Sequence, residues 1–445
     1  MDRLNAKTHP AGRNALPVRA LQFGEGVFLR AFVEELFDDL INQNLFDGSI
    51  AIVQPRPGKD KLRALAEQDG LYTLITRGLQ NGIAHEQSRI INCISQAIDP
   101  YTHFDAYKSL CTSAALRYVV SNTTEAGIAY KDGESMSDAP CLSFPAKITQ
   151  LLHWRYEAFN GAPGKGLVFL PCELIEHNGT ALKQLALRHA NEWGLSGDFM
   201  HWVESCCTFA NTLVDRIVSG YPKSEAEAIC AQLGYEDALL DVAEPYSLFA
   251  IEGADELKTA LSIEKAALNV VLTNDLAPFR TRKVRILNGA HTALVPVALL
   301  MGQRFVNESL AHPLLRNYLS KLLQDEVIPA MDGDAAELKI YAQSVFDRFE
   351  NPFLAHALTS IALNTASKWR TRLLPSLLDH QAKFGKLPPL ITFAFAAATA
   401  CEVGTEGIDE LEAELTSIPG FASAVQSARK DIHMNGCREA LEARL

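Results

Sequence analysis

At 445 residues the chain exceeds the roughly 250 to 300 residues at which a single hydrophobic core stops growing, so two domains are expected. Its 48% apolar and 21% charged residues are ordinary for a globular protein and exclude a disordered chain. A formal net charge of -12 speaks against nucleic acid or an anionic membrane as the main partner, and any small anionic ligand needs a local basic pocket.

Nine cysteines, with only Cys206 and Cys207 close together, do not make the even framework of a secreted scaffold and fit a reducing cytoplasm. The opening MDRLNAKTHPAGRN lacks the apolar run of a signal peptide, and the longest apolar stretch, Leu390 to Cys401, is short enough to read as a buried helix.

In chain order, Val18 to Phe23 is predicted as a strand, Phe28 to Leu40 as a helix and Ser49 to Gln54 as a second strand. Leu116 to Val120 and Gly166 to Leu170 follow as further buried strands with amphipathic helices between, the rhythm of an α/β fold around a parallel sheet. From about Ala266 onward helical spacing takes over. The expected division is a dinucleotide-binding domain over 1–270 and a mostly α-helical C-terminal substrate and catalytic domain over 271–445, with the boundary within a couple of dozen residues of Val270.

Strand, then Gly24-Glu25-Gly26-Val27-Phe28, then helix is an arrangement in which backbone amides and a helix start hold a pyrophosphate. The third position of the G-x-G-x-x-G/A pattern is Leu29, so the pattern is incomplete and a plain strand-to-helix turn is the alternative. After the second strand comes Gln54-Pro55-Arg56 rather than the acid that accepts from a ribose 2′-hydroxyl, which leaves NAD against NADP open; Arg56 either pairs with a 2′-phosphate or sits in solvent. Asn122, Thr123 and Thr124 fall at the carboxyl end of a strand, where such sheets bind ligands, although Glu125 with Thr123 or Thr124 also reads as a helix cap.

Lys283, Asn288 and His291 interrupt an apolar helix-like segment. Asn288 and His291, three apart, share a helical face, and Lys283 reaches them if the first turn is bent or begins the helix. Ketone reduction needs a proton donor at the developing alkoxide, and a lysine serves if burial among Ile286, Leu287 and a cofactor ring lowers its pKa toward roughly 7 to 8. Asn288 and His291 would then hold the oxygen. A surface lysine, an Asn-Gly turn and a core histidine are the alternatives. No zinc-type spacing, phosphate-binding P-loop or serine-hydrolase elbow occurs, and His201 with Cys206 and Cys207 is a poor metal cluster, so no metal is expected.

The K-x4-N-x2-H spacing, read with KVRILNGAHTALVPVALLMG, resembles the signature of the long-chain mannitol dehydrogenases, in particular a branch acting on hexuronates. The likeness extends through LQFGEGVFLRAF, SNTTEAGIAY, PCELIEHNG, NTLVDRIVSGYP, RFENPF and LNTASKWRTRLLPSL. It implies a Rossmann-type NAD domain with insertions and a helical C-terminal domain. Lys283 would be the general acid/base, assisted by Asn288 and His291. Phe23, Gly24, Glu25, Gly26, Phe28 and Arg30, with Asn122, Thr123 and Thr124, would form the cofactor side.

Asp215 and Arg216 would lie near the cleft between the two domains, Asp215 as a substrate-binding residue, with a structural ion pair there as the competing account. Cys172-Glu173-Leu174-Ile175 stands where polyol members show C-D-N-L, so Asn178 either replaces a missing oxyanion donor or caps the next helix. A hexuronate carboxylate needs a cation; within the basic group Lys368, Arg370 and Arg372, Lys368 and Arg372 are singled out, against the reading of a solvated helix face. The implied partner is a ketohexuronate or aldonate, with no nucleic acid or membrane and an undetermined oligomeric state. Fructuronate or mannitol reduction, uronate isomerisation or epimerisation, and cofactor sensing without turnover are the alternatives.

Overall fold

Successive residues of a strand point to opposite faces, and the first strands are apolar on both. In β1 (Val18–Phe23), Ala20 enters one core while Leu21 and Phe23 enter another; in β2 (Ser49–Val53), Ile50 and Ile52 divide from Ala51 and Val53 in the same way. A sheet carrying two cores must be covered on both sides, which is the doubly wound layout.

The computed structural model describes residues 1–10, 16–58 and 60–445. Residues 11–15, part of the N-terminal stretch read above, and the Glu125 side chain invoked for a helix cap lie outside the described set. The further strands are β3 (Tyr72–Gln80), β4 (Ile83–Ile91), β5 (Ile94–Ile98), β6 (Tyr118–Ser121), β7 (Val168–Pro171), β8 (Thr208–Phe209), β9 (Asn211–Asp215), β10 (Val218–Gly220), β11 (Asp241–Ala243), β12 (Leu248–Glu252) and β13 (Val270–Thr273). A six-stranded parallel sheet runs β5-β2-β1-β6-β7-β8, and smaller sheets run β10-β11-β3-β4 and β13-β12-β9.

The chain divides into two compact units, Met1–Arg77 with Glu86–Leu276, and Gly78–His85 with Ala277–Leu445. A division at residue 270 cuts β13, which is the parallel neighbour of β12 and therefore part of the first unit's sheet. The segment 78–85 groups with the second unit, where the Gly82 amide donates to Asp347 at 3.2 Å. Strands β6 and β7 begin two residues later than their apolar runs suggest.

The helix expected over Phe28 to Leu40 is interrupted. Val27–Arg30 and Val33–Asn42 are separate helices, because two carbonyls at the break are taken by side chains: Arg30 O accepts from the Tyr72 hydroxyl at 2.6 Å and Ala31 O from Arg216 at 2.6 Å.

Beyond Leu276 the described elements are helical. Pro389–Ala400 is buried along most of its length, consistent with its apolar sequence, and no helix among the described residues is long and apolar enough to cross a membrane. All nine cysteines are free thiols.

Candidate active site

In the first unit, β1 lies between β2 and β6, so the chain leaves β1 at the point where strand order reverses, the usual ligand position of such a sheet. Gly24 has φ +123°, a conformation that L side chains rarely adopt, and its amide donates to Val53 O at 3.2 Å. A Cβ on Gly24 would come within 3.3 Å of both Asn122 O and the Leu29 side chain. Leu29, at the incomplete third position, is buried in the core and fills that space.

Gly26 is different: a Cβ there would meet no protein atom within 4 Å. The space beside Gly26 is open. A pyrophosphate fits such a cradle, because a bare backbone lets amide groups approach it.

Of the other residues expected on the cofactor side, Glu25, Phe28 and Asn122 are partly exposed and Thr124 is exposed, in a left-handed conformation. Three turn inward instead. The Phe23 ring is fully buried against Phe144 and Tyr107, at centroid distances of 5.1 and 6.3 Å. Arg30 donates to Leu239 O at 2.6 Å, lies 3.6 Å from Asp241 and stacks over Tyr72, which gives it a structural role rather than one toward the cofactor. Thr123 is bound through its amide (2.8 Å) and hydroxyl (3.0 Å) to Glu173.

Glu173 itself was not singled out by sequence. It also accepts from Ser121 at 3.0 Å, so one buried carboxyl ties the ends of β6 and β7 together, and burial raises its pKa. Leu174, where polyol members carry Asn, is exposed.

Asn178 does not replace that Asn: it is fully buried, donates to Pro171 O (3.0 Å) and Glu173 O (3.1 Å), and accepts from the Thr212 amide (2.8 Å). It stands inside its helix, with His177 at the cap position. Asp215 is buried at the end of β9, opposite Leu248. Arg216 pairs with Glu35 and donates to Glu244 O at 2.9 Å, so its ion pair is structural.

In the second unit, Lys283, Asn288 and His291 lie along one run of helix whose middle is not α-helical. Ala277–Arg282 and Gly289–Leu300 are α-helices, and Lys283–Asn288 between them is a π-helical turn. In an α-helix, at about 100° per residue, Lys283 and Asn288 would stand about 140° apart around the axis. In a π-turn the fifth residue takes the place of the fourth, which brings them within about 40°, and puts His291 within about 20° of Lys283. The extra residue thus aligns all three on one face. Lys283 and Asn288 are half-buried and His291 is buried.

The buried Arg285 fastens the same turn elsewhere, donating to Ser376 and Asp379, each at 2.6 Å.

The His291 ring stacks on Phe349 at 4.0 Å and meets His356 edge-on at 5.4 Å. Its pKa is held well below the ordinary value, first by burial and then by His356, Arg348, Arg372 and Lys368, so it is neutral near pH 7. Arg372 donates to the Thr292 hydroxyl at 3.3 Å, and Thr292 donates to Asn288 O at 2.9 Å. Lys368 donates to Ile361 O at 2.7 Å, and its pKa is lowered by burial and by Arg372. Both cations therefore bond neutral oxygens. Arg370 points elsewhere and pairs with Glu414 at 2.7 Å. Arg348, His356, Phe349 and Thr292 were missed by sequence; RFENPF marked the first and third only as part of a matching block. Among the described residues no group of three or more acidic, His or Cys side chains could hold a metal ion.

A doubly wound parallel sheet with a glycine turn at its switch point, followed by a helical unit that aligns a lysine, an asparagine and a neutral histidine, defines a Rossmann-type dehydrogenase. The chain matches the mannitol dehydrogenase Rossmann domain over residues 18–265 and the mannitol dehydrogenase C-terminal domain over residues 275–433. It belongs to the mannitol dehydrogenase family, dehydrogenases that act on CH–OH groups.

Among its relatives, the altronate oxidoreductase of Yersinia enterocolitica is 47% identical over 401 residues, covering 90% of this chain and 82% of that protein. The altronate oxidoreductase of Bacillus subtilis is 45% identical over 381 residues, covering 86% and 79%. A substrate-free D-sorbitol dehydrogenase shares the fold with TM-score 0.84 at 20% identity, covering 99% of this chain and 100% of that one. Pseudomonas fluorescens mannitol 2-dehydrogenase, in a ternary complex with NAD and D-mannitol, shares it with TM-score 0.71 at 22% identity, covering 99% of each.

Proposed function

We propose that this protein interconverts D-tagaturonate and D-altronate with NAD(H). The observation that carries the substrate class is the pair Lys368 and Arg372: two cations close enough to His291 to depress its pKa, each bonded to a neutral oxygen. A polyol has no charge to satisfy them; a hexuronate carboxylate does. The names of the relatives at 45 to 47% identity, altronate oxidoreductases, support the same substrate.

The Gly24-Glu25-Gly26 turn, Phe28, Asn122 and Thr124 would hold the dinucleotide, which supplies or accepts the hydride when bound. Lys283 gives the keto oxygen its proton on reduction and takes it back on oxidation. Asn288 donates a hydrogen bond to that oxygen as negative charge develops. His291 is a neutral hydrogen-bonding group that orients the substrate hydroxyls, and the surrounding positive charge keeps it from competing for the proton. Lys368 and Arg372 hold the far carboxylate.

Purified protein with NADH and D-tagaturonate, D-fructuronate or D-fructose tests the reading. NADH loss fastest with D-tagaturonate supports it; equal rates on D-fructose and D-tagaturonate would remove the carboxylate grip.

A further inference from the structure

We propose that Glu34 positions the Gly24-Glu25-Gly26 turn for the dinucleotide, acting as a neutral carboxylic acid at the centre of two hydrogen-bond chains that hold both ends of the segment 24–30. The inference rests on the reading that this turn holds the dinucleotide, and deepens it.

Glu34 stands in the helix Val33–Asn42, beyond the glycine turn and the short helix Val27–Arg30. Like Gln22 on β1 and Tyr72 on β3, it is fully buried. On one side the Gln22 amide donates to Gly24 O at 2.9 Å and to Glu34 Oε1 at 2.6 Å. On the other, the Tyr72 hydroxyl lies 2.6 Å from Arg30 O and 2.8 Å from Glu34 Oε2. The Arg30 amide in turn donates to Gly26 O at 3.3 Å. One carboxyl group thereby reaches the entry of the turn through Gln22 and its exit through Tyr72, with Gly26 between them.

The number of protons decides the state of Glu34. Gln22 has two amide protons for its two acceptors. The Tyr72 hydroxyl has one proton, yet two oxygens face it at hydrogen-bond distance. Both contacts are made when Glu34 carries a proton and donates it to Tyr72 Oη, which leaves the tyrosine proton for Arg30 O. An ionised Glu34, as the charged acceptor, would take the tyrosine proton for its own hydrogen bond and release the end of the turn.

The surroundings favour the neutral acid. Burial raises the Glu34 pKa and Asp38 on the same helix adds to the rise, against the hydrogen bonds from Gln22 and Tyr72 and the charge of Arg30. Arg30 is turned to Leu239 O at 2.6 Å and to Asp241 on β11 at 3.6 Å. Asp241 is itself pushed up to about 7, first by burial, with Arg30 opposing and Glu34 adding. Arg216 pairs with the neighbouring Glu35, and Arg89 on β4 lies 3.9 Å from both Glu35 and Asp38. The Cys93 thiol donates to Glu34 O at 3.4 Å.

Infrared difference spectra of the parent protein and Glu34→Gln at neutral pH, together with NADH titrations, test this. We expect the carbonyl stretch of a buried neutral carboxylic acid in the parent and its absence from Glu34→Gln. An amide can donate to Tyr72 and accept from Gln22, so Glu34→Gln should bind NADH within about threefold of the parent. Glu34→Ala breaks both chains and should weaken NADH binding at least about tenfold, with kcat at saturating NADH within about threefold of the parent. If Glu34→Ala does not fold, the infrared band and the Glu34→Gln affinity decide. A missing band, Glu34→Gln that is unfolded or binds NADH about tenfold more weakly than the parent, or Glu34→Ala that binds it as the parent does, overturns the inference. NADH affinity left unchanged by Gly26→Ala would instead remove the reading of the turn, and the inference with it.

Discussion

The His291 imidazole lies on the Phe349 ring with centroids 4.0 Å apart and planes inclined by 21°. A ring held this way has a fixed direction for its hydrogen bond, and burial among positive groups keeps it neutral. Replacing His291 by Gln retains a neutral donor but loses the stacked geometry, and kcat should fall by about 10²-fold. The pH midpoint of kcat should stay in place, because His291 is not the titrating group. A limb of the profile that disappears in the variant would contradict this.

The two glycines of the turn should separate stability from binding. Gly26→Ala adds a Cβ that meets no protein atom, so the urea midpoint should be unchanged while NADH affinity drops about tenfold, the methyl standing where the ligand must approach. Gly24→Ala forces a side chain onto φ +123° and should cost about 1 to 2 kcal/mol of stability. NADH affinity unchanged in Gly26→Ala would show that Gly26 has no ligand to make room for.

Substrate charge is tested by Arg372→Ala and Lys368→Ala. Losing a charge-assisted hydrogen bond is worth about 1.5 to 3 kcal/mol, so KM for D-tagaturonate should rise roughly 10- to 100-fold. KM for an uncharged ketose should move little. The comparison of the two KM values is the measurement; parallel changes would point to a general packing effect.

Glu326 predicts a pH dependence of stability. It is buried and accepts the Leu390 and Ile391 amides at 2.6 and 2.8 Å, and burial raises its pKa to about 7 from 4.5. The folded state thus keeps a proton that the unfolded state releases. This stabilising contribution is complete below about pH 4.5 and is lost as pH rises toward and through 7. Unfolding free energy should fall between pH 5 and 7 by as much as about 1.4 kcal/mol per unit from this group, and Glu326→Gln should make the slope shallower. Superimposable slopes would show that Glu326 titrates alike in both states.

What could be read from sequence follows from how local each signal is. Strands buried on both faces appear as apolar runs, so LQF and AIV stand out. Lys368 and Arg372, four apart, share a helical face that Arg370 does not, and the periodicity is visible without the fold. Phe23 and Arg30 sit in the right motif, yet their side chains serve partners the motif does not contain: Arg30 bonds Leu239, 209 positions away. Arg216 stands next to Asp215 in sequence, whereas a carboxylate it pairs with, Glu35, lies 181 positions back. The π-turn has no residue signature of its own. Only the need for Lys283 to meet Asn288 and His291 hinted at a departure from α-helix, and the backbone supplies it by one inserted residue.

The central claim is that Lys283 moves the proton. The most direct measurement is kcat for D-tagaturonate reduction by Lys283→Ala at neutral pH, with NADH affinity measured on the same preparation. Loss of a positioned acid/base should lower kcat by about 10³-fold or more, with NADH affinity close to that of the parent protein. Turnover within tenfold of the parent, with NADH bound normally, would mean that another group carries the proton.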